Sequence, residues 1–451
     1  QPALDLAEAG AETGAAAAEA AMTRAAAVVE LAAALDEELA ERRADRLLHE
    51  VELPLQRILA RAETAGIAAD ADFLERLRAD FDGQVRAAEQ AAYDAIGRTV
   101  NLGSPKQLQV VLFDDLKLPK TRRVKSGYTT DAEALASLYA KTNQPFLAHL
   151  LAHRDAIRLR QTVEGLAKAI ADDGRIHTTF LQTVAATGRL SSVEPNLQNI
   201  PVRTAAGRQL RAAFVAGPGF EALMTADYSQ IEMRIMAHVS GDQSLIDAFR
   251  SGRDFHAVMA ARVFGADPGD VTHEQRARVK AMNYGLAYGL SAFGLSSQLG
   301  IPVGEAQRLM EDYFGVFGPV RDYLDGLVAE ARRTGYTETI LGRRRYLPDL
   351  TSANRTRREM AERMALNAPI QGSAADIIKL AMIRVDERMS QAGLRSRLLL
   401  QVHDELVFEV APGEAAALEA LVREAMGAAA PLAVPLDVSV GLGRDWAAAA
   451  H

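Results

Sequence analysis

The chain has 451 residues, 49% of them hydrophobic, which suits two to four globular domains. It has no cysteine, which excludes disulfides and thiolate metal sites and fits a reducing cytoplasm. Its formal net charge of −8 taken alone argues against nucleic-acid binding. The sequence has no apolar run near the roughly 20 residues of a membrane span and no signal peptide at its start, and the first residue is not methionine, so we expect a fragment of a cytoplasmic protein.

The charge is unevenly distributed along the chain. Residues 1–50 hold eleven acidic and four basic side chains, which leaves a net charge of about −1 for the other 401 residues. Residues 341–370 hold seven arginines against three acids. A basic surface within an acidic total is compatible with a DNA-binding face. Only eight of the 51 basic residues are lysine, so arginine is the usual cation of this chain.

The N-terminal part predicts helices. Residues 1–40 are alanine-rich, and their Asp36-Glu37-Glu38 resembles the D-x-E of metal-dependent exonucleases but fits a solvated helix face better, because no strand precedes it. Residues 41–100 continue as long amphipathic helices. A further helix is expected to begin with Ser104 as N-cap and proline at its first position. The basic segment 122–130 is either an ordinary solvated loop or a phosphate contact.

The pattern changes after about residue 175. The segments TTFLQTVAATGRLSS and EALMTADYSQ carry the β-branched and alternating residues of strands. Residues 229–390 return to helix, with breaks at GADPGD and LGRRRYLPDL, and about the last sixty residues predict strand, strand, helix and strand. Distant segments therefore build one sheet with a helical insertion between its strands, which is an α+β fold.

Two carboxylates end predicted strands. Asp227 closes an apolar strand that leads into a helix from about Ser229, and Asp404 lies in an apolar hairpin 177 residues later. If both strands share a sheet, the pair can hold divalent metal for phosphoryl transfer, and oxygen ligands favour Mg²⁺ or Mn²⁺. Glu405 can share this site only if His403 and Asp404 form the turn. The alternative is two unrelated strand-end acids.

The segment THEQRARVKAMNYGLAYG (272–289) predicts a helix that begins with a capping box. Every fourth residue lies on one face, which carries two cations and then two aromatics: Arg276, Lys280, Tyr284 and Tyr288. Such a face suits a triphosphate beneath a stacked sugar and base, although an amphipathic surface helix can share the spacing by chance. Lys280 is the only lysine between residues 168 and 379. Lysine, unlike arginine, can give up a proton, so Lys280 is a candidate proton donor, with chance as the alternative.

These segments resemble the polymerase motifs of family A DNA polymerases. The similarity rests on DYSQIEMRI, RARVKAMNYGLAYG and VHDE, together with ATGRLSSVEPNLQNIPVR and NAPIQGSAADIIK, in the family's order. It runs from about residue 41 to the end and matches the Klenow-type fragment of bacterial members. It implies a right-hand polymerase with an antiparallel-sheet palm, helical fingers and a helical thumb. The expected parts are a remnant of a 3′–5′ exonuclease-like domain (1–40), thumb and connecting helices (41–180), palm (181–234), fingers (235–366) and palm again (367–451).

The resemblance also implies roles for individual residues. Asp227 and Asp404 would bind two metal ions with help from the Tyr228 carbonyl, and Glu405 would sit nearby without necessarily binding metal. The residues expected around the incoming dNTP, with Glu232 blocking a ribose 2′-hydroxyl, are Arg276, Lys280, Tyr284, His256, Gln230 and Glu232. The residues expected along the primer–template, where minor-groove donors test base-pair geometry, are Arg189, Asn367, Gln371, His403 and Tyr288.

The expected activity is DNA-templated DNA synthesis with two Mg²⁺ ions, for which Mn²⁺ can substitute, in repair and replication gap filling. The expected partners are primer–template DNA and dNTPs, without a membrane, for a monomer of the bacterial cytoplasm near the nucleoid. Proofreading is not expected, because residues 1–40 lack the strand-borne acidic cluster that it needs. Tyr284 stands where many family members have phenylalanine. The alternatives are a single-subunit RNA polymerase, against which Glu232 argues, a primer–template binding module with a dead site, and a two-metal nuclease.

Overall fold

A computed structural model describes residues 14–202, 204–287 and 289–450. Helices dominate the described chain. Their bounds are α1 Gly14–Glu41, α2 Asp45–Leu47, α3 Leu53–Ala65, α4 Ala71–Ile96, α5 Pro105–Gln109, α6 Ala132–Thr142, α7 Pro145–Lys168, α8 Ala205–Arg211, α9 Ile231–Ser240, α10 Gln243–Arg250, α11 Phe255–Phe264, α12 His273–Ala287, α13 Ala292–Leu299, α14 Val303–Val316, α15 Gly318–Thr334, α16 Arg355–Gln391 and α17 Ala415–Gly427. Two π-helical segments, Leu48–Glu52 and Val110–Asp115, and two 3₁₀ turns, Leu197–Asn199 and Pro348–Thr351, join them.

The strands are short except in one sheet. Their bounds are β1 Ile67–Ala69, β2 Arg123–Val124, β3 Gly127–Tyr128, β4 Arg175–Ile176, β5 Thr179–Leu181, β6 Ser191–Val193, β7 Phe214–Val215, β8 Ala222–Tyr228, β9 Tyr336–Glu338, β10 Arg344–Tyr346, β11 Arg397–Val402, β12 Glu405–Val410 and β13 Val438–Gly443. The largest sheet has the order β11-β12-β8-β13 and is antiparallel throughout. Strands from both ends of the helical segment 231–391 therefore meet side by side, as expected from the sequence.

The central sheet is covered on both faces. Strands β8 and β12 are buried along nearly their whole length, as their continuous apolar runs require. The segment after β13 folds back onto the sheet at Gly441, where a Cβ atom would lie 2.0 Å from the carbonyl oxygen of Ala449. Thr225 of β8 donates to the same carbonyl at 2.6 Å. Glycine at this position therefore allows the C-terminal segment to seal one side of the sheet.

A separate hydrophobic cluster holds the helices of the N-terminal half. Helices α4 and α7 pack against each other along their length. The cluster joins one end of this helix pair to α5 and α6, and its central residues are Leu108, Leu112 and Phe146. The predicted start of α5 is confirmed, because the Ser104 side chain accepts from the backbone of Gln107. The division into thumb, palm and fingers stays a prediction.

Several short strands interrupt segments that the sequence predicts as helix or loop. Strand β1 separates α3 from α4, and the β9–β10 hairpin lies at the break LGRRRYLPDL. The basic loop 122–130 contains the two-residue strands β2 and β3. Helix α1 carries the Asp36-Glu37-Glu38 sequence on an exposed surface, so the solvated-face interpretation holds there. No helix among the described residues has both the length and the apolar character to cross a bilayer.

Four charged side chains, two of them fully buried and two half-buried, join α16 to the segments packed around it. Glu52 accepts hydrogen bonds from Lys379 at 2.7 Å and from Arg343 at 2.5 Å, and Arg343 also donates to Asp376 at 2.8 Å. Asp376 and Lys379 are 0% exposed. Thr339 donates to the second oxygen of Asp376 at 2.6 Å. This buried quartet (Glu52, Arg343, Asp376, Lys379) has two positive and two negative members.

Candidate active site

Asp227 and Glu405 lie directly opposite each other in the central sheet. Asp227 is the penultimate residue of β8, Glu405 is the first residue of β12, and the two are partners in the antiparallel register. Partners in an antiparallel pair point to the same face of the sheet. Asp404 precedes Glu405 in the turn between β11 and β12. The predicted meeting of the two distant acidic motifs is therefore what the structure shows.

The turn before β12 consists of His403 and Asp404 alone. Val402 and Glu405 are paired on either side of it, and His403 has a φ of +56°. A two-residue hairpin requires such a backbone conformation, which a non-glycine residue adopts at some cost in energy. The Tyr228 amide donates to the carbonyl oxygen of Asp404 at 3.2 Å, which fixes the turn against the end of β8. His403 and Asp404 therefore form the turn, which is the arrangement that allows Glu405 to share the site with Asp404.

The acids repel one another in this partly buried position. Burial, followed by the nearby Asp404 and Glu405, raises the pKa of Asp227 to about 7. Burial also raises the pKa of Asp404, against the opposing influence of Arg189. Carboxylates in such surroundings are stabilised when a cation joins them. The two aspartates therefore fit a divalent metal ion, although no three His, Asp or Glu side chains within the described residues form a metal-ligating group.

Glu405 is held by two donors. Its Oε1 accepts from the Trp446 indole at 2.9 Å and lies 3.3 Å from Nη1 of Arg211. Arg211 and Trp446 are 2% and 0% exposed, respectively. These contacts agree with the expectation that Glu405 sits near the metal ligands without necessarily being one. The sequence analysis did not single out Arg211 or Trp446, and the only available signal was that Trp446 is the one tryptophan of the chain.

Tyr228 contributes its backbone to the site. Its side chain is buried, and its hydroxyl donates to the carbonyl of Met426 at 2.8 Å. This contact holds the end of β8 against α17. Its role as a carbonyl ligand of metal stays a prediction.

The residues that follow β8 line the same region. Gln230 has a φ of +57° and precedes α9, so the helix begins at Ile231, two residues after the expected start at about Ser229. The Gln230 Oε1 is buried and accepts no hydrogen bond from the described part of the chain. Glu232, 6% exposed, accepts from Arg189 at 2.8 Å. Arg189 and Glu232, which were assigned to the primer–template and to the sugar, are thus neighbours.

Helix α12 places its cations beside His256. The predicted capping box is confirmed, since Gln275 and Thr272 exchange hydrogen bonds of 2.9 and 3.2 Å. Arg276 binds Asp254 at 2.8 Å. Burial, then Lys280 and Arg276, lowers the pKa of His256 to about 4, so the three basic residues lie together and the imidazole is neutral at pH 7.

Asn283, another residue that was not predicted from the sequence, links His256 to helix α14. Its amide nitrogen lies 3.1 Å from Nδ1 of His256, and its oxygen accepts from Tyr313 at 2.9 Å. Asn283 is 1% exposed, so it fixes the imidazole orientation from inside the protein. The Tyr284 side chain and all of Tyr288 lie outside the described residues.

Helix α16 carries the last pair of predicted site residues. Asn367 and Gln371 are half-buried and one helical turn apart, so they share a face. The Asn367 Oδ1 is buried and accepts no hydrogen bond within the described chain. The next residue of α16, Gly372, is closely packed, since a Cβ atom there would lie 2.6 Å from the Thr339 side chain. His403 is exposed, in the turn that also carries Asp404.

Comparison with known proteins gives one family. The family model described as "DNA polymerase family A" matches residues 71–448. The chain is 65% identical over 428 residues to DNA polymerase I of Mycobacterium tuberculosis H37Rv, and it covers 47% of that protein. It is 46% identical over 425 residues to DNA polymerase I of Geobacillus stearothermophilus, with 48% of that protein covered. The chain thus spans about half the length of the curated relatives it matches.

A solved structure shares the architecture. The polymerase domain of Pol1 from M. smegmatis, in complex with DNA primer–template and dNTP, is 64% identical and superposes with a TM-score of 0.92. The match covers 95% of this chain and 76% of that one. It confirms the predicted α+β right-hand polymerase fold. By sequence and by structure, the chain belongs to DNA polymerase family A.

Proposed function

We propose that this chain is a DNA-templated DNA polymerase that adds dNTPs to a primer 3′-hydroxyl. The observation that carries the proposal is the pairing of β12 with β8, which joins Asp404 to Asp227 across 177 residues of sequence. Two half-buried acids of raised pKa, together with a helix that carries cations, suit the transfer of a nucleotidyl group. The similarity to a polymerase domain in complex with primer–template and dNTP supports the same substrates here.

Asp227 and Asp404 would hold two Mg²⁺ or Mn²⁺ ions, with the Tyr228 carbonyl as a further ligand. Such ions, when bound, activate the primer hydroxyl and neutralise charge that develops on the phosphate. Burial, together with repulsion from Asp404 and Glu405, raises the pKa of Asp227 to about 7, and a bound cation would relieve that repulsion. The neighbouring carboxylates are therefore unfavourable without a cation and would be stabilised when one binds.

Arg276, Lys280 and the neutral His256 would bind the triphosphate. Arg276 is held by Asp254 at 2.8 Å in the described structure, so nucleotide binding exchanges a carboxylate for a phosphate partner. Lys280 can then donate a proton from Nζ to the departing pyrophosphate. Tyr284, one turn further along α12, would lie beside the incoming sugar, and Tyr288 would lie along the primer–template.

The remaining predicted residues would select the substrate. Glu232, fixed by Arg189, would exclude a ribose 2′-hydroxyl, and Gln230 would line the same pocket. Donors that meet the minor groove near the new base pair can test its geometry without reading its sequence; they would be Arg189, Asn367, Gln371 and His403. The unpaired oxygens of Gln230 and Asn367 within the described chain support a ligand at these positions.

The testing experiment is primer extension with four dNTPs and Mg²⁺, repeated with four rNTPs. Template-directed extension by dNTPs alone is expected. Extension by rNTPs instead would indicate an RNA polymerase, primer binding without extension would indicate a binding module, and cleavage of the DNA would indicate a nuclease. Any of the three would overturn the proposal.

We also propose that the chain does not proofread and that its enzyme works as a monomer in the bacterial cytoplasm, in repair and gap filling at the nucleoid. The acids Asp36, Glu37 and Glu38 lie on the exposed helix α1 and not on a strand beside a cleft, which supports the first point. Shortening of a mismatched primer by Mg²⁺ alone, without dNTPs or pyrophosphate and with contaminating nuclease excluded, would contradict it.

A further inference from the structure

The only tryptophan of the chain lies beside the carboxylates. Trp446 follows β13 and is 0% exposed. Its backbone amide donates to the carbonyl oxygen of Phe214 at 2.9 Å. Its ring lies nearly perpendicular to the Phe214 ring, with the two ring centroids 5.5 Å apart. A buried indole N–H needs an acceptor, and here that acceptor is the Glu405 carboxylate at 2.9 Å. The C-terminal segment therefore contacts, through Trp446, the residue directly opposite Asp227.

Arg211 completes a closed group of three side chains. Its guanidinium carbon lies 4.1 Å from the centre of the Trp446 ring, within the range of a cation–π contact. Its Nη1 lies 3.3 Å from the same Glu405 oxygen that accepts from the indole. Arg211, Glu405 and Trp446, here named the Glu405 clamp, come from α8, β12 and the C-terminal segment. Each member contacts the other two.

The clamp accounts for an unexpected feature of the acidic site. Asp227, Asp404 and Glu405 adjoin one another, and a third free carboxylate would be a good ligand for a divalent ion. Yet the described residues contain no set of three such side chains with ligating geometry. A catalytic metal must keep coordination positions open for substrate, and Mg²⁺ in such sites uses one or two carboxylates.

We propose that Arg211 and Trp446 are positioning residues that hold Glu405 beside the metal-binding space and out of it. Asp227 and Asp404 then ligate, while Glu405 adds negative charge without filling a coordination position. This inference rests on the proposed function, because it concerns the same metal site.

The test is a titration of the whole chain with Mn²⁺ in the absence of DNA. Binding is monitored by the loss of the electron paramagnetic resonance signal of free Mn²⁺. Trp446→Phe keeps the ring and removes only the donor. It should tighten Mn²⁺ binding by on the order of three- to tenfold, because affinity follows ligand charge and number. It should also lower kcat for single-nucleotide addition more than it changes the KM for dNTP. In a Glu405→Ala background, Trp446→Phe should leave Mn²⁺ binding unchanged.

Two outcomes would overturn the inference. Trp446→Phe could bind Mn²⁺ as the parent does, or it could change binding equally with and without Glu405, which would mean that it acts through packing. Arg211→Lys, which keeps the charge but loses the planar stacking group, is the second variant if Trp446→Phe fails to fold. It should show the same dependence on Glu405.

A double variant separates this inference from the proposed function. If Asp227→Asn with Asp404→Asn binds Mn²⁺ as tightly as the parent, the metal site itself is wrong. If that variant loses binding but Trp446→Phe matches the parent, only the clamp is wrong.

The fluorescence of Trp446 gives an independent measurement on the unaltered chain. Mg²⁺ should leave its emission maximum unchanged, because the clamp stays closed. A shift that Asp227→Asn abolishes would show that Glu405 moves to the metal, and would also overturn the inference.

Discussion

The protein buries charge in two regions with opposite balance. In the active site, three neighbouring acids face Arg211 and Arg189, and the pKa of Asp227 is raised to about 7. In the buried quartet, two acids meet two cations. Although burial raises the pKa of Glu52, Lys379 and Arg343 hold it below its ordinary value. The quartet is electrically balanced, whereas the active site has fewer cations than carboxylates.

This difference separates a structural from a functional group of charges. A balanced buried network resists the loss of any member, because one removal leaves an unpaired charge in the interior. An unbalanced cluster costs stability until a ligand supplies the missing charge. The quartet links the π-helical segment before α3, the β9–β10 region and α16. Substitutions should therefore have opposite effects in the two regions.

Asp227→Asn or Asp404→Asn should cause the largest loss of function. We expect extension to fall by at least about 10³-fold, because metal coordination contributes several kcal/mol to the transition state. Primer–template binding should persist, since phosphate contacts elsewhere supply most of the affinity. Single-turnover extension and a DNA-binding titration measure the two effects. Asp36→Asn on exposed α1 is the matched control, and near-normal turnover in either site variant would show that the metal assignment is wrong.

Lys280→Arg tests whether this lysine does more than supply charge. Nucleotide affinity should be largely preserved, while turnover falls by roughly 10²–10⁴-fold, the usual contribution of general acid catalysis. Pre-steady-state dNTP titrations separate the two constants. Equal turnover would mean that Lys280 acts only as a cation, as Lys379 does in the quartet.

Lys379→Met should destabilise the fold by about 3–5 kcal/mol, because it leaves Glu52 and Asp376 with one shared cation. Urea unfolding monitored by circular dichroism measures this loss. Lys379→Met combined with Glu52→Gln should recover part of it. The control is Arg355→Met, whose ion pair with Glu359 is exposed and worth at most about 1 kcal/mol. If Lys379→Met and Arg355→Met lowered the free energy of unfolding equally, the quartet would stabilise the fold no more than an exposed ion pair does.

Asp227→Asn should stabilise the metal-free protein with a defined pH dependence, by at most about 4 kcal/mol above pH 7, the free-energy equivalent of moving this pKa from its unfolded to its folded value. The pKa of Asp227 is about 7 when folded and about 3.9 when unfolded. The folded state therefore binds the proton more tightly, and the parent loses stability as pH rises from about 4 to 7. The difference in melting temperature between variant and parent, in EDTA, should grow from about pH 4 to pH 7 and then level off. A difference independent of pH would contradict the raised pKa.

Local signals in the sequence predicted much of this structure. Ser104 and Thr272 begin helices as expected, because capping depends on neighbouring residues. The hairpin that carries Asp404 could be placed for the same reason, as its turn residues separate two apolar runs. The short strands β9 and β10 could not, since three residues are too few to show an alternating pattern.

The parts of the site that the sequence did not reveal come from distant segments. Arg211 ends a short helix, Trp446 follows the last strand, and their shared contact with Glu405 leaves no periodic signal. The quartet is equally non-local, since Glu52 and Lys379 are 327 residues apart in sequence. Glu52, Asp376 and Lys379 lie in predicted helices and Arg343 in a predicted break, and only the tertiary structure shows that the four side chains meet.

The strand order β11-β12-β8-β13 has a consequence for how activity arises during folding. The two acids become neighbours only when β12 inserts beside β8, after the intervening helices have formed a compact insertion. Such long-range pairing is slow because the chain must close a large loop first. Refolding should therefore restore helical circular dichroism before catalytic activity, and a nascent chain should stay inert until the second half of the sheet has been synthesised. Recovery of nucleotide addition would then report completion of the whole tertiary structure.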